Sequence, residues 1–380
     1  MIAQTATRPS QVVGPGAAAA LVQREPTSKE FIVVSAHVVD QVEVLLAGRS
    51  PSRVIVVDGP TDIERAQSLA RHASVERIAC FIAVGGGSVL DLVKLASAEA
   101  TNPRLLRSLA HRATTNGFLT RTVLRAAPLP FMAVPTTIGT GSEVNASACF
   151  ESRFEGTPAR TLVDLRLALP SAVAYDPAFT AATPDLLNQG IFEIGARIVG
   201  AAVGTPSSLQ LAEAEAEFLF DRVVRLADGP GNPLTHDDDR IEAALVSAAS
   251  HSGWALRGRG PAPSPLWLLS TELSVAASIT KNEAAMRLVI PWLSRIAVGD
   301  ERWGSADAFD RWSRRTEDAD LRGWFHRLIA AAQLSTHPLG IDCDRVAHRV
   351  TTRFAVGSLA NISTCAIAAL FADVESGVLT

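Results

Sequence analysis

The sequence predicts an α/β domain built on a Rossmann-like parallel sheet, followed by an α-helical domain. Three observations carry this reading. Short aliphatic runs alternate with helical stretches through the first half, strand signals nearly vanish after about residue 183, and two glycine-rich segments follow directly on apolar runs. At 380 residues the chain has room for two domains. We place the α/β domain at residues 1–178 and the helical domain at 179–380.

The strands come first. Residues 31–34, 53–57, 78–84 and 131–134 are compact aliphatic runs bounded by polar or turn residues, as strands buried on both faces of a parallel sheet require. Between them, 61–72 and 88–100 have helical length and composition, so the order is βαβ with helices on both faces of an open sheet. Residues 172–175, followed by Asp176-Pro177, read as the last strand of this layer. From Thr183 onward the chain is rich in Ala and Leu, and 209–226 and 240–256 place apolar residues at helical spacing. Breakers at 229–233 and 258–265 divide these helices, with no internal repeat.

Composition excludes several roles. Hydrophobic residues make up 47% and charged residues 19%, enough apolar content for a sizeable core and too much for a disordered chain. A net charge of -4 with scattered basic residues leaves no footprint for nucleic acid. The cysteines Cys80, Cys149, Cys343 and Cys365 are widely separated, which fits a reducing cytoplasm better than a disulfide framework. Residues 17–22 are too short for a signal-peptide core, and no apolar run reaches membrane-spanning length. Lysine is scarce: Lys29, Lys94 and Lys281 are the three in the chain.

Two segments carry the chemistry. Gly85-Gly86-Gly87-Ser88 follows a strand and opens a helix bearing Asp91 and Lys94, an arrangement that turns backbone amides toward a phosphate at a helix N-terminus. By itself it equally describes an empty βα turn. Pro135-Thr136-Thr137-Ile138-Gly139-Thr140-Gly141-Ser142-Glu143-Val144 also follows an apolar strand and brings two glycines and four hydroxyls to the same end of the sheet. Two such loops at adjacent strand ends suit a dinucleotide.

At these residues the sequence resembles the iron-containing (group III) alcohol dehydrogenases and their dehydroquinate-synthase-like relatives. The matching words are GGGSVLDLVK at 85–94, PTTIGTGSEV at 135–144, and Asp176-Pro177 with Thr180, Pro184 and Gly190; the opening Val13-Gly14-Pro15-Gly16 looks like that family's first turn. The resemblance implies a nucleotide-binding domain, a helical domain, and NAD(P) in the cleft between them. By position Gly86, Gly87, Ser88, Thr136, Thr137, Thr140 and Ser142 are cofactor contacts, with Asp91 close by. NAD is the expected dinucleotide and NADP the alternative: Ser35-Ala36-His37, after the first of the four aliphatic strands, carries no acid for a ribose hydroxyl, and Asp40 lies further on.

One part of the resemblance breaks. Metal-dependent members hold an ion with an aspartate and a histidine four residues on, after the glycine matched by Gly190, plus two later histidines. Here the first pair reads Phe192 and Ala196, neither of which binds a metal. The later pair falls near Pro265 and Asn282, or on Lys281 if the register slips. The eight histidines form no HxxxH or HxxH pair, and the acidic run after His236 reads as helix-start capping. No metal is therefore expected. Lys281 is the candidate cation to replace it, with His251 and Glu193 as further candidate catalytic residues and Arg197, Glu272 and Arg257 bordering.

These residues point to an NAD(P)-dependent dehydrogenase of secondary alcohols that has lost its metal. A β-hydroxy acid is the favoured substrate class, because decarboxylation of the keto product pulls the oxidation forward. Within the superfamily this most resembles dehydrogenases of daptide-type pathways, which implies oxidative decarboxylation of the C-terminal threonine of a ribosomal peptide. The alternatives are a nucleotide-binding subunit without catalysis, and a synthase-like lyase or cyclase using NAD transiently. A homodimer in the cytoplasm, acting on a small molecule or peptide with no nucleic-acid or membrane partner, completes the expectation.

Overall fold

The computed structural model describes residues 9–24, 29–46, 51, 53–119, 122–181, 184–228, 233–260, 264–317, 319–334, 337–354 and 357–377. They group into two compact units, Met1–Ala182 with Leu234–Ala248, and Thr183–Pro233 with Ala249–Thr380. The expected breaker at 229–233 falls mostly, and that at 258–265 partly, outside the described residues.

The first unit runs β1 (Ser10–Val13), α1 (Ala17–Arg24), β2 (Glu30–Ser35), α2 (Val42–Leu46), β3 (Arg53–Val57), α3 (Ile63–Glu76), β4 (Cys80–Gly85), α4 (Gly87–Thr101), α5 (Leu105–Ala113), β5 (Phe118–Leu119), β6 (Phe131–Pro135), β7 (Ser147–Phe154), β8 (Thr157–Asp164) and β9 (Ala172–Tyr175). Six strands form a sheet in the order β1-β9-β6-β4-β2-β3, every neighbour parallel. Alternate residues of the central strands feed two cores. Phe31, Val33, Phe81, Ala83, Phe131 and Ala133 face α3 and α4, while Ile32, Val34, Ile82, Val84, Met132 and Val134 face α1 and α2. Burial on both faces is why these strands read as unbroken aliphatic runs. The edge strand β3 differs: Val54 and Val56 are exposed.

Two details depart from the sequence reading. The strand expected from residue 78 begins at Cys80, because Arg77 takes a left-handed turn (φ 50) and the Ile78 amide donates back to Ala73. A β7–β8 hairpin, with β5 beside it, forms a second sheet that the aliphatic-run criterion does not find. Its strands mix polar and apolar residues. The signal for it is the two-residue link Glu155-Gly156, both at positive φ, between alternating segments.

The second unit is helical: α6 (Pro184–Gly204), α7 (Gln210–Asp228), the end of α8 (Asp237–Ser252), α9 (Pro265–Ala276), α10 (Lys281–Ala297), α11 (Ala306–Ser313), α12 (Leu321–Ala331), α13 (Cys343–Arg353) and α14 (Thr364–Glu375). Its core holds an aromatic cluster of Phe192, Phe220, Trp312, Trp324 and Phe325 with ring centroids 4.8–5.6 Å apart. Residues 234–248, including most of α8, belong to the first unit, where Ala244 and Ala248 enter the core. The acidic run 237–239 occupies the first turn of α8, and Asp237 pairs with Arg240. No helix among the described residues is long and apolar enough to cross a membrane.

Candidate functional site

Because the sheet is parallel, the C-terminal ends of β1, β9, β6 and β4 lie on one edge, and helices start from it. Their first-turn amides need acceptors. In α1 the Ala18 amide donates to Asp176 Oδ2 at 3.1 Å, and in α3 the Arg65 amide donates to Asp62 Oδ1 at 2.7 Å. In α4 the capping residue is Gly86, which has no side chain to accept. The first turn of α4 thus has no side-chain acceptor from its cap, a setting that suits an anion.

The second loop closes over this helix start. A Cβ on Gly86 would lie 3.0 Å from Thr137 Oγ1, and one on Gly87 would lie 3.4 Å from the Thr140 side chain. The two glycine words therefore face each other across a gap that a side chain would narrow. Thr140 Oγ1 is buried and has no hydrogen-bond partner. Glycine amides plus an orphaned hydroxyl are the donor set a pyrophosphate requires, so these residues fit a dinucleotide. The loop itself needs glycine at 139 and 141, where φ is +102° and +59°. The Gly139 amide is tied to Ser247 Oγ of α8 at 3.2 Å.

Beneath the loops is a buried polar cluster centred on Lys94, whose side chain is fully buried. Its Nζ donates to Ser142 Oγ (2.7 Å) and the Ser147 carbonyl (2.6 Å), and lies 3.4 Å from Asp91 Oδ1 and Asn145 Oδ1. Ser142 Oγ donates onward to Asp91 Oδ1 at 2.5 Å, and Asp91 Oδ2 accepts from the Cys149 amide. Burial pushes the Lys94 ammonium below the ordinary lysine range, against the pull of Asp91 and Glu143. Tyr175, closing β9, is held well above the ordinary tyrosine range by burial and by the Glu143 carboxylate.

Each residue singled out by sequence now has a place. Gly86, Gly87, Thr137 and Thr140 face one another; the Thr136 amide donates to the Gly85 carbonyl, and Ser88 is exposed, its carbonyl accepting from Thr61. Asp91 and Ser142 are joined, but the Ser142 hydroxyl is engaged inside the protein. Lys94 and Ser247 are not among the site residues the sequence predicts. Lys94 carries a signal in its rarity, the chain having three lysines, and in standing one turn after Asp91 on a largely apolar helix, whereas Ser247 carries none. Past β2, Asp40 is exposed in a 3-10 turn (Ala36–Gln41).

In the second unit Glu193 lies in α6, 3.9 Å from Arg197, and His251 is half-buried in the last turn of α8. Lys281 opens α10 with its ammonium 4.2 Å from the centre of the Trp267 ring. Glu272 is fully buried between Arg349 (2.7 Å) and Arg353, as a structural ion pair would be.

The family's ion does not fit the residues present. Phe192 is fully buried edge-on against Phe325, centroids 5.6 Å apart, and Ala196 is buried beside it, so neither position has a donor atom. Asn282 gives its Nδ2 to the Gln189 carbonyl at 3.0 Å. Among the described residues no group of three or more His, Cys, Asp or Glu is placed to hold a metal.

Comparison with known proteins agrees with this architecture. Residues 9–177 match the family model described as iron-containing alcohol dehydrogenase. Phosphonoacetaldehyde reductase of Streptomyces viridochromogenes is 29% identical over 217 residues, 53% of this chain and 50% of that one. A mitochondrial hydroxyacid-oxoacid transhydrogenase of Xenopus laevis is 36% identical over 106 residues, 28% of this chain and 22% of that one. The chain thus spans half or less of these relatives' length. Among solved structures, sulfoacetaldehyde reductase from Bifidobacterium kashiwanohense in complex with NAD+ has the same fold, with a TM-score of 0.75 at 16% identity over 99% of each chain. The NADH-dependent butanol dehydrogenase A from Thermotoga maritima gives 0.74 at 16%, over 97% of this chain and 96% of that one.

Proposed function

Starting from a chain whose residues 9–177 match the iron-containing alcohol dehydrogenase family model, we propose that this protein is an NAD(P)-dependent dehydrogenase that works without a metal ion. The observation that carries the reading is the uncapped start of α4 facing the orphaned Thr140 hydroxyl. The amides of Gly87 and Ser88, with the hydroxyls of Thr137 and Thr140, would hold the pyrophosphate. Asp91, Lys94 and Ser142 fix the two loops relative to each other from below. The dinucleotide supplies a hydride acceptor.

The relatives' names give the substrate class its outline, since phosphonoacetaldehyde, sulfoacetaldehyde and hydroxyacids all carry an anionic group. A β-hydroxy acid meets that description, and the C-terminal threonine of a ribosomally made peptide is the specific candidate. As the alcohol carbon loses its hydride, Lys281 stabilises the charge on oxygen and Glu193 or His251 takes the hydroxyl proton. The β-keto carboxylate so formed loses CO2 as its carbon–carboxylate bond breaks, the electron pair passing into an enolate that then takes a proton on carbon to give the ketone.

The experiment uses the purified protein with N-acetylthreonine and either dinucleotide. Reduced cofactor and CO2 should appear in equal amounts, with far less than one transition-metal ion per chain. About one ion per chain, together with loss of turnover on chelation, would overturn the metal-independent part. Tight dinucleotide binding without reduction of cofactor by any alcohol, or of any aldehyde, would overturn the dehydrogenase.

A further inference from the structure

The resemblance places the later pair of ligand positions near Pro265 and at Asn282 or Lys281, at the starts of α9 and α10, and two side chains from those helix starts meet. Here they are Trp267 and Lys281, an indole and an ammonium. At 4.2 Å from the ring centre the cation is attracted by the negative face of the π system, which restrains a side chain otherwise mobile on four methylenes.

Asn282, the next residue, supplies a complement. A carbonyl can only accept, so the amide atom facing Gln189 is the nitrogen, and the orientation of Asn282 is fixed. Its Oδ1 is then left buried without a hydrogen-bond partner. Such an acceptor is costly to bury unless a ligand satisfies it. Gln189 lies one helical turn before Glu193 on α6, so this acceptor is anchored next to a candidate base. A held cation and an unsatisfied acceptor on consecutive residues match the C–O–H group of an alcohol.

Resting on the dehydrogenase reading above, we propose that Trp267, Lys281 and Asn282 form the site of the reacting oxygen. Trp267 is a positioning residue that holds the Lys281 ammonium in the place of the ion, and Asn282 Oδ1 accepts the hydrogen bond of the substrate hydroxyl. A bound dinucleotide would supply the hydride acceptor; on this chain's side the hydroxyl would turn from Asn282 Oδ1 to the base as it gives up its proton, with the ammonium facing the developing negative charge on oxygen.

The test combines a double-mutant cycle with a lysine spectrum. With N-acetylthreonine as probe, Lys281→Met should lower kcat about a hundredfold and Trp267→Leu about tenfold, both with dinucleotide affinity unchanged. Trp267→Phe, which keeps an aromatic face, should stay within about threefold of wild type. In the Lys281→Met background Trp267→Leu should change kcat by less than about twofold, because the group it positions is gone. Additive losses would discard the positioning role. Independently of turnover, 13Cε-labelled lysine gives a spectrum of three side chains. The Lys281 signal should carry a ring-current shift that Trp267→Leu abolishes, and it should move when NAD and N-acetylthreonine are added. An unshifted or unmoved signal overturns the site. A signal that moves while no cofactor is reduced keeps the site and removes the dehydrogenase.

Discussion

The loops at residues 85–88 and 135–144 and the corner formed by α6, α9 and α10 are both expected, from the family resemblance, to bind something, and they are built from different material. The loops bind through backbone amides, with glycine keeping the gap open and Lys94 bracing it from below. The corner should bind through four side chains, and at the two positions on α6 those side chains are a packed phenyl ring and a methyl group. A backbone site depends on conformation and so persists while its glycines do. A side-chain site is erased by two substitutions that the core readily accepts, as the Phe192–Phe325 contact shows.

The comparison breaks if the brace beneath the loops is unimportant. Lys94→Met removes one member of a buried charged cluster, leaving Asp91 and the Ser147 carbonyl short of a donor. We expect a loss of about 3 kcal/mol in unfolding free energy, measured by denaturant titration. An unchanged midpoint would mean that the loops hold themselves. Sign matters here as well. Since the folded lysine sits below its ordinary pKa, the unfolded chain binds more protons in the window between the two values. The Lys94 contribution should therefore rise as pH increases toward the ordinary lysine value.

Gly86→Asp sharpens the contrast between backbone and side-chain sites. It places a carboxylate at the start of α4, on a Cβ that would lie 3.0 Å from Thr137 Oγ1 if the backbone stays put. Dinucleotide affinity should fall more than about tenfold by calorimetry, with stability little changed. Equal affinity would place the cofactor elsewhere.

The smallest effect is spectroscopic. Tyr175 is the one tyrosine in the chain. Burial and Glu143 keep its phenol protonated beyond its ordinary pKa of 10.0. Above pH 10.0 the unfolded chain loses this proton while the folded one keeps it, so stability should fall as pH rises through that point. Tyrosinate absorbance should appear only as the protein unfolds. A native protein that titrates near pH 10 would show that the floor beneath the loops is open to water.

The sequence by itself determined the parallel sheet and the place of both glycine loops. Strands buried on two faces must be apolar throughout, as at 31–34 and 131–134, and a βα turn that exposes amides needs glycine, so both leave local marks. The same rule hid the β7–β8 hairpin, whose half-exposed strands alternate. Sequence also located Phe192 and Ala196 where donors were expected. The tertiary structure alone decided that Ser142 faces inward to Lys94 and Asp91, that Ser247 of α8 supports Gly139, and that Lys281 rests on Trp267. Those partners lie 14 to 108 residues apart in the chain, and a contact closed by packing across such separations leaves no periodicity or motif in either segment.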